Sequence, residues 1–262
     1  MKIRVFGLTD VGRRRESNQD SLLVSPERGL YAVADGMGGH AAGEVASHIA
    51  IEALSEVLRD TTFVRDNADA QNVATRLQDA LIEGNRRICD SVVTRGEWRG
   101  MGTTIVALVT LKDRAVIGHV GDSRAYLLRD GILRRLTNDH SWVSEQVRMG
   151  LMTDEEAHRH PMRNIVTRAL GNRPALDVDI NEAEALASDL FLLCSDGLNS
   201  MLTDREILET LQGNTNDPEV ACRKLVEAAN NKGGEDNITV IVCRLVDDAD
   251  EDTGSVETAD QG

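Results

Sequence analysis

Residues 103–136 read TTIVALVTLKDRAVIGHVGDSRAYLLRDGILRRL, and this stretch decides the fold. Strand patterns fall at Thr103 to Leu111, Ala115 to Val120, Ala125 to Leu128 and Ile132 to Leu136. Lys112-Asp113-Arg114 and Arg129-Asp130-Gly131 read as tight turns. Four strands in a row leave no crossover helix between them. That argues against a doubly wound parallel sheet and for antiparallel pairing.

The flanking chain extends the pattern. Ile3, Val5 and Gly7 alternate with polar residues as an opening strand, and Leu22 to Val24 is a second. Ser25 to Gly29 turns it into a third at Leu30 to Ala34, which predicts a hairpin. From Ala42 the period changes. Val45, Ile49, Ala53 and Val57 recur every four residues, and Val73, Leu77, Leu81, Ile88 and Val92 mark a longer helix, with Asp60 to Gln71 as a loop between them. Ser141 to Met149 reads as a helix, and Thr153 with Glu156 has the spacing of a capping box. His158 to Leu170, with Pro161, reads as irregular. Phe191 to Cys194 is a buried strand, Asp204 to Leu211 and Pro218 to Asn230 are helices, and Ile238 to Val246 is the last strand. No repeat or linker divides the body. The economical packing is α+β: a four-layer α-β-β-α sandwich of two antiparallel sheets flanked by helix pairs. Residues 1–246 form that domain, and 247–262 is an acidic tail expected to be disordered.

Composition narrows the function. Aromatic residues are 3% of 262, so the core rests on Val, Leu, Ile and Ala. The formal net charge is −15, of which the tail holds seven acidic residues with no Lys or Arg. An acidic body disfavours nucleic acid and anionic membranes as partners. Cys89, Cys194, Cys222 and Cys243 form no C-x-x-C pair, so neither a zinc site nor a redox motif is signalled. The N-terminus lacks the apolar region of a signal peptide, and no apolar run approaches the ~18 residues of a membrane span. The expectation is a cytoplasmic monomer.

The chemistry gathers around LYAVADGMGGHAAG, Leu30 to Gly43, where an apolar run delivers Asp35 to a glycine-rich turn. Asp20, Asp122, Asp196 and Asp236 likewise sit at element edges beside Gly or Asn. Each alone reads more readily as a turn or cap residue than as a ligand. Converged, they would repel, at roughly 4 kcal/mol for two unit charges ~4 Å apart at an effective dielectric of 20. A divalent cation relieves that repulsion. Hard oxygen donors without a Cys or His cluster favour Mg²⁺ or Mn²⁺ over Zn²⁺.

Six motifs stand in order: Gly12-x-x-Arg15-x-x-Asn18-x-Asp20, Asp35-Gly36-Met37-Gly38-Gly39-His40, Gly102-Thr103-Thr104, Gly121-Asp122-Ser123-Arg124, Ser195-Asp196-Gly197 and Asp236-Asn237-Ile238-Thr239. In these the chain resembles the metal-dependent protein phosphatases of type 2C, in their bacterial single-domain form, from Gly7 to about Leu245. The resemblance implies a serine/threonine phosphatase with two Mn²⁺ or Mg²⁺ ions at its centre and a third nearby. It implies direct attack on phosphorus by a metal-bridging water. Asp35 would bridge the two ions, with the Gly36 carbonyl on the second and Asp196 and Asp236 on the first. Asp20 would act as an outer ligand, and Asp122 with Asp196 would hold the third ion. Arg15 would bind the substrate phosphate. The implied partners are phosphorylated proteins, among them a bacterial Ser/Thr kinase and its targets. The implied substrate flap is about Ser141 to Leu170, which places His158 and His160 on a surface loop. One departure stands out: animal-type members carry a histidine, a proposed general acid, where this chain has Met37. Leaving-group protonation then falls to metal-bound water. His40 either shapes the site entrance or caps the following helix.

Overall fold

The apolar runs of the central strands Leu30–Met37, Ile105–Thr110, Leu190–Cys194 and Ile238–Val246 are buried on both faces, and their alternation divides each strand between two cores. A computed structural model describes residues 2–38, 42–59 and 69–247. The expectations on His40, on residues 60–68 and on the tail from 248 onward lie outside the described residues, as does the side chain of His158.

The strands are β1 (Lys2–Asp10), β2 (Asp20–Ser25), β3 (Leu30–Met37), β4 (Gly102–Thr103), β5 (Ile105–Thr110), β6 (Arg114–Val120), β7 (Arg124–Arg129), β8 (Ile132–Arg135), β9 (Asp179–Glu184), β10 (Leu190–Cys194) and β11 (Ile238–Val246). One sheet runs β1-β11-β10-β7-β8; the other runs β2-β3-β5-β6-β9, with β4 beside β3. Every pairing is antiparallel. The helices are α1 (Ala42–Val57), α2 (Ala70–Thr94), α3 (Trp142–Arg148), α4 (Asp154–Arg159), α5 (Asp196–Asn199), α6 (Asp204–Gln212) and α7 (Pro218–Asn231).

Three apolar layers hold the sandwich. Between the sheets, Tyr31 and Val33 of β3 meet Phe191 and Leu193 of β10 and Ile241 and Cys243 of β11. The opposite face of β3, Leu30, Ala32 and Ala34, packs under α1 and α2 against Leu54, Leu77 and Leu81. Leu192 of β10 and Val240 and Val242 of β11 pack under α6 and α7 against Ile207, Leu211 and Leu225. The expected four-layer α-β-β-α architecture is what forms, and the predicted β2–β3 hairpin pairs as expected.

The structure revises five local expectations. The strand over Thr103 to Leu111 is broken at Thr104, whose N–H donates to the Asp35 carbonyl (2.9 Å) and whose hydroxyl meets that of Ser123 (2.7 Å). The buried face of α1 is Ala46, Ala50, Ala53 and Leu54, with Val45 and Ile49 at its margin and Val57 exposed. Small residues let α1 close on α2 and β3. α4 carries helix on to Arg159, inside the stretch read as irregular; its Thr153–Glu156 capping box forms as the spacing predicted. Asp196 opens a single helical turn, α5. β9, an edge strand of sequence DINEAE, gave no apolar alternation to read; its charges suit an exposed edge. Cys194, Cys222 and Cys243 are buried free thiols and Cys89 is half-buried.

Phe191 is 1% exposed at the centre of the inter-sheet layer. Phe191→Ala should cost about 3–5 kcal/mol, read as a lower urea midpoint at unchanged slope.

Candidate active site

Antiparallel pairing brings the functional residues to one end of the sandwich. β10 ends where β11 begins, with Cys194 opposite Val240, so Asp196 just after β10 lies near Asp236 just before β11. Cys194 also lies opposite Arg124, the first residue of β7, which brings the Gly121-Asp122 turn to the same end. In the other sheet, Asp20 and Asp35 are directly opposed across β2 and β3. All five aspartates thus converge. Arg15 joins them from the β1–β2 connection, its Nη2 donating to Asp236 Oδ2 at 2.6 Å.

Glycine is required after two of these aspartates. A Cβ on Gly36 would lie 2.1 Å from the Gly43 carbonyl oxygen, and one on Gly197 would lie 2.0 Å from that of Asn237. The backbones touch there, which draws the start of α1 and the start of β11 onto the carboxylates.

Neutral donors hold the cluster. Asp20 Oδ2 accepts from the hydroxyls of Ser195 (2.8 Å) and Thr239 (2.6 Å). The Asp35 carbonyl accepts from the Thr103 hydroxyl at 2.8 Å, and its N–H donates to Thr104 Oγ1 at 3.2 Å. Asn237 staples the β1–β2 connection: its Nδ2 donates to the Val11 and Ser17 carbonyls (2.9 and 3.0 Å) and its Oδ1 accepts from Gln19 N–H (2.8 Å). The motifs contain Ser195, Asn237 and Thr239, but sequence reasoning assigned them no role. Their partners are remote in the chain, and no local pattern betrays them.

The converged carboxylates act on one another. Burial, and then the neighbouring carboxylates Asp20 and Asp196, push Asp35 well above the usual carboxylate range. Burial and Asp196 do the same to Asp122. Burial raises Asp20 to about 7 against its two hydroxyl bonds, and burial with the charge of Asp236 raises Asp196 to about 6. Asp20 Oδ1 and Asp196 Oδ1 are buried without a hydrogen-bond partner. Orphaned hard oxygens in a cluster of mutually repelling carboxylates fit a divalent cation such as Mg²⁺ or Mn²⁺.

A second set of ligand-type side chains, His119, His140 and Asp179, brings its ligand atoms within 4.8 Å of one another. Its geometry does not suit a cation. The two rings stack, with centroids 4.7 Å apart and planes 18° from parallel. A metal would have to lie in the plane of both. The Gly121 N–H donates to His140 Nδ1 at 3.0 Å, which leaves the proton on Nε2, 3.2 Å from Asp179. The set works as a latch. His140 N–H donates to the Gly121 carbonyl (2.9 Å), and its own carbonyl accepts from Thr167 N–H (2.8 Å). His140, through its backbone and its ring, thereby ties the turn that carries Asp122 to the base of the α3–α4 insert. Burial and the adjacent His119 depress His140 to about 4, so it stays neutral near pH 7.

The chain matches the family description "Protein phosphatase 2C" over residues 11–230. It is 41% identical over 237 residues to the serine/threonine phosphatase stp of Listeria innocua, covering 89% of this chain and 92% of that one. It is 41% identical over 247 residues to the serine/threonine protein phosphatase PstP of Mycobacterium tuberculosis, covering 94% of this chain but 45% of PstP. The crystal structure of the Mycobacterium tuberculosis phosphatase PstP/Ppp superposes with a TM-score of 0.86 at 39% identity, over 94% of this chain and all of that one. A structure of the PstP catalytic domain in complex with two manganese ions superposes at 0.83, with the same identity and coverage of 94% and 99%. The chain belongs to the protein phosphatase 2C family, and its enzyme class is protein serine/threonine phosphatase.

The raised carboxylates make stability depend on pH and cation together. Without metal, the folded protein binds more protons than the unfolded chain between about pH 4 and 7, so stability falls as pH rises through that window. A cation on the ionised cluster removes that loss. Saturating Mn²⁺ should raise the melting temperature by about 5–10 °C near pH 7.5 and by less at pH 5.5, with reversal by chelator. A melting curve indifferent to Mn²⁺ at both pH values would contradict the assignment.

Proposed function

We propose that this enzyme hydrolyses phosphoserine and phosphothreonine on proteins at the carboxylate centre, with Mn²⁺ or Mg²⁺ as cofactor. The observation that carries the reading is the convergence of five aspartates, with buried orphan oxygens, beside the Arg15 guanidinium. In this reading Asp35 would serve both ions, the Gly36 carbonyl the second, and Asp196 and Asp236 the first, while Asp20 would act from the outer shell and Asp122 with Asp196 would hold a third. The bound ions would supply Lewis-acid activation of a water and neutralise charge on the phosphoryl group.

The chain's own residues supply the rest. Arg15 is half exposed, and its fork offers planar, bidentate contact to phosphate oxygens. Ser195 and Thr239 fix the rotamer of Asp20, so one oxygen stays aimed into the cluster. Met37, half-buried at the end of β3, carries no proton to donate, so the leaving group takes none from that position. The α3–α4 insert, about 141–170, is the flap over the substrate. The biological counterpart in this reading is a Ser/Thr kinase whose products this enzyme reverses, with the kinase among the substrates.

The test is turnover of p-nitrophenyl phosphate and a phosphothreonine peptide with Mn²⁺, with and without chelator. Asp35→Asn and Asp196→Asn should each lower kcat/KM by about 10³-fold or more in well-folded protein. Wild-type levels in either variant would remove that residue from the centre. Absence of Mn²⁺-dependent turnover in folded wild type would remove the reading.

A further inference from the structure

A recess of about 620 Å³ opens beside Asp122 and Asp196 and continues beneath the α3–α4 insert. Four arginines line it: Arg124, Arg135, Arg148 and Arg163. Arg124 is committed within the fold. Its Nε and Nη2 hold the Asp139 carboxylate at 2.6–3.2 Å, and its Nη1 meets the Tyr126 hydroxyl at 2.9 Å. The other three guanidinium groups donate no side-chain hydrogen bond to any described residue. Arg135 comes only to 3.7 Å of Asp139, a carboxylate already occupied by Arg124. Arg163 comes only to 3.7 Å of Glu235. Arg148, at the last turn of α3, has no ion-pair partner among the described residues.

These three side chains arrive from separate parts of the fold: the end of β8, the end of α3 and the turn after α4. Their convergence makes a locally cationic recess in a chain of net charge −15. The acidic residues of the lining do not cancel it. Asp139 is spent on Arg124, and Asp122 and Asp196 belong to the carboxylate centre. Asp204 accepts from the Tyr126 hydroxyl at 3.0 Å and stands 3.7 Å from Arg124.

We propose that this recess is a second anion subsite, one that takes a carboxylate or a second phosphate carried by the substrate segment next to the phosphoresidue. The proposal rests on the phosphatase reading above. Guanidinium forks with unused donors match the planar carboxylate and the phosphate oxygens. Asp196 lines the recess and also belongs to the centre, so a segment with its phosphoresidue at the centre lays its neighbours here. Two of the three arginines belong to the insert and one to the body, so an anion bound among them joins the two. The substrate class that follows is protein segments with clustered phosphorylation or acidic flanks. Approach of such segments to the acidic body is unfavourable at long range, and the recess offsets this locally.

The experiment uses the full chain with Mn²⁺ and neutral phosphothreonine peptides in which one Glu, or one phosphoserine, is walked through the residues on either side. At one or more positions the added anion should raise kcat/KM by about 5–20-fold, in keeping with charge-assisted contacts. The preference should collapse at high salt. It should also collapse in the double variant Arg135→Gln/Arg148→Gln, with turnover of p-nitrophenyl phosphate and of the neutral peptide held within about twofold of wild type. Both side chains are exposed, and matching melting temperatures verify that the variant folds. Equal turnover of anionic and neutral peptides at every position would overturn the subsite and leave the phosphatase reading standing. Equal losses on all substrates in the double variant would also overturn it, because the arginines would then act on the centre itself. No turnover of any phosphorylated compound would overturn the phosphatase reading and the subsite with it.

Discussion

Like charges gathered in a low-dielectric place repel, and here five carboxylates are gathered at the end of a sandwich with one arginine, Arg15, paired to one of them. Two unit charges ~4 Å apart repel by roughly 4 kcal/mol at an effective dielectric of 20, a large share of the net stability of a domain. The surrounding structure is arranged to hold that repulsion. Asp20 is pinned by two hydroxyls from the opposite sheet, and Asp35 is clamped through its own backbone by Thr103 and Thr104. Asn237 ties down the connection that carries Arg15. Neutral donors can fix a carboxylate without neutralising it. That is the arrangement expected of a site built to receive positive charge from outside the chain.

The sandwich supplies the rigidity this demands. Two sheets bury both faces of their central strands, so the strand ends cannot slide without breaking two apolar layers at once. A slip of one residue in β10 or β11 would turn every inward side chain outward and would also misplace Asp196 and Asp236. Stability and site geometry are therefore set by the same registers. The α3–α4 insert is closed at its own base by the Thr167–His140 backbone bond and the bridge from Ser141 to Val166, and is tied to the body by backbone bonds from His140 to Gly121 and between Leu170 and Thr103.

Much of the fold was legible in the residue order because both signals were strong. β11 lies where its apolar run placed it, Ile238 to Val246, and α7 differs from its expected limits by one residue. β9 was not legible, because an acidic edge strand is held by backbone pairing to β6 rather than by apolar alternation. The buried face of α1 was displaced from the four-residue recurrence of Val45 and Ile49. Alanines, which carry little hydrophobic signal, make the close contact.

The site divides along the same line. Asp20, Asp35, Asp122, Asp196 and Asp236 were named from short motifs with glycine or asparagine nearby and Arg15 from the spacing of its motif, although Asp20 and Asp35 lie within β2 and β3 and Asp196 opens α5. The order of strands and helices likewise followed from periodicity, which is a local property of the chain. The tertiary structure alone decided who supports those residues. Ser195 and Thr239 reach Asp20 across the sandwich, His140 meets Gly121 at the base of the insert, and Arg135, Arg148 and Arg163 share one recess. A hydrogen bond or a charged recess between residues far apart in sequence leaves no local spacing to read. It exists only once the sheets have closed.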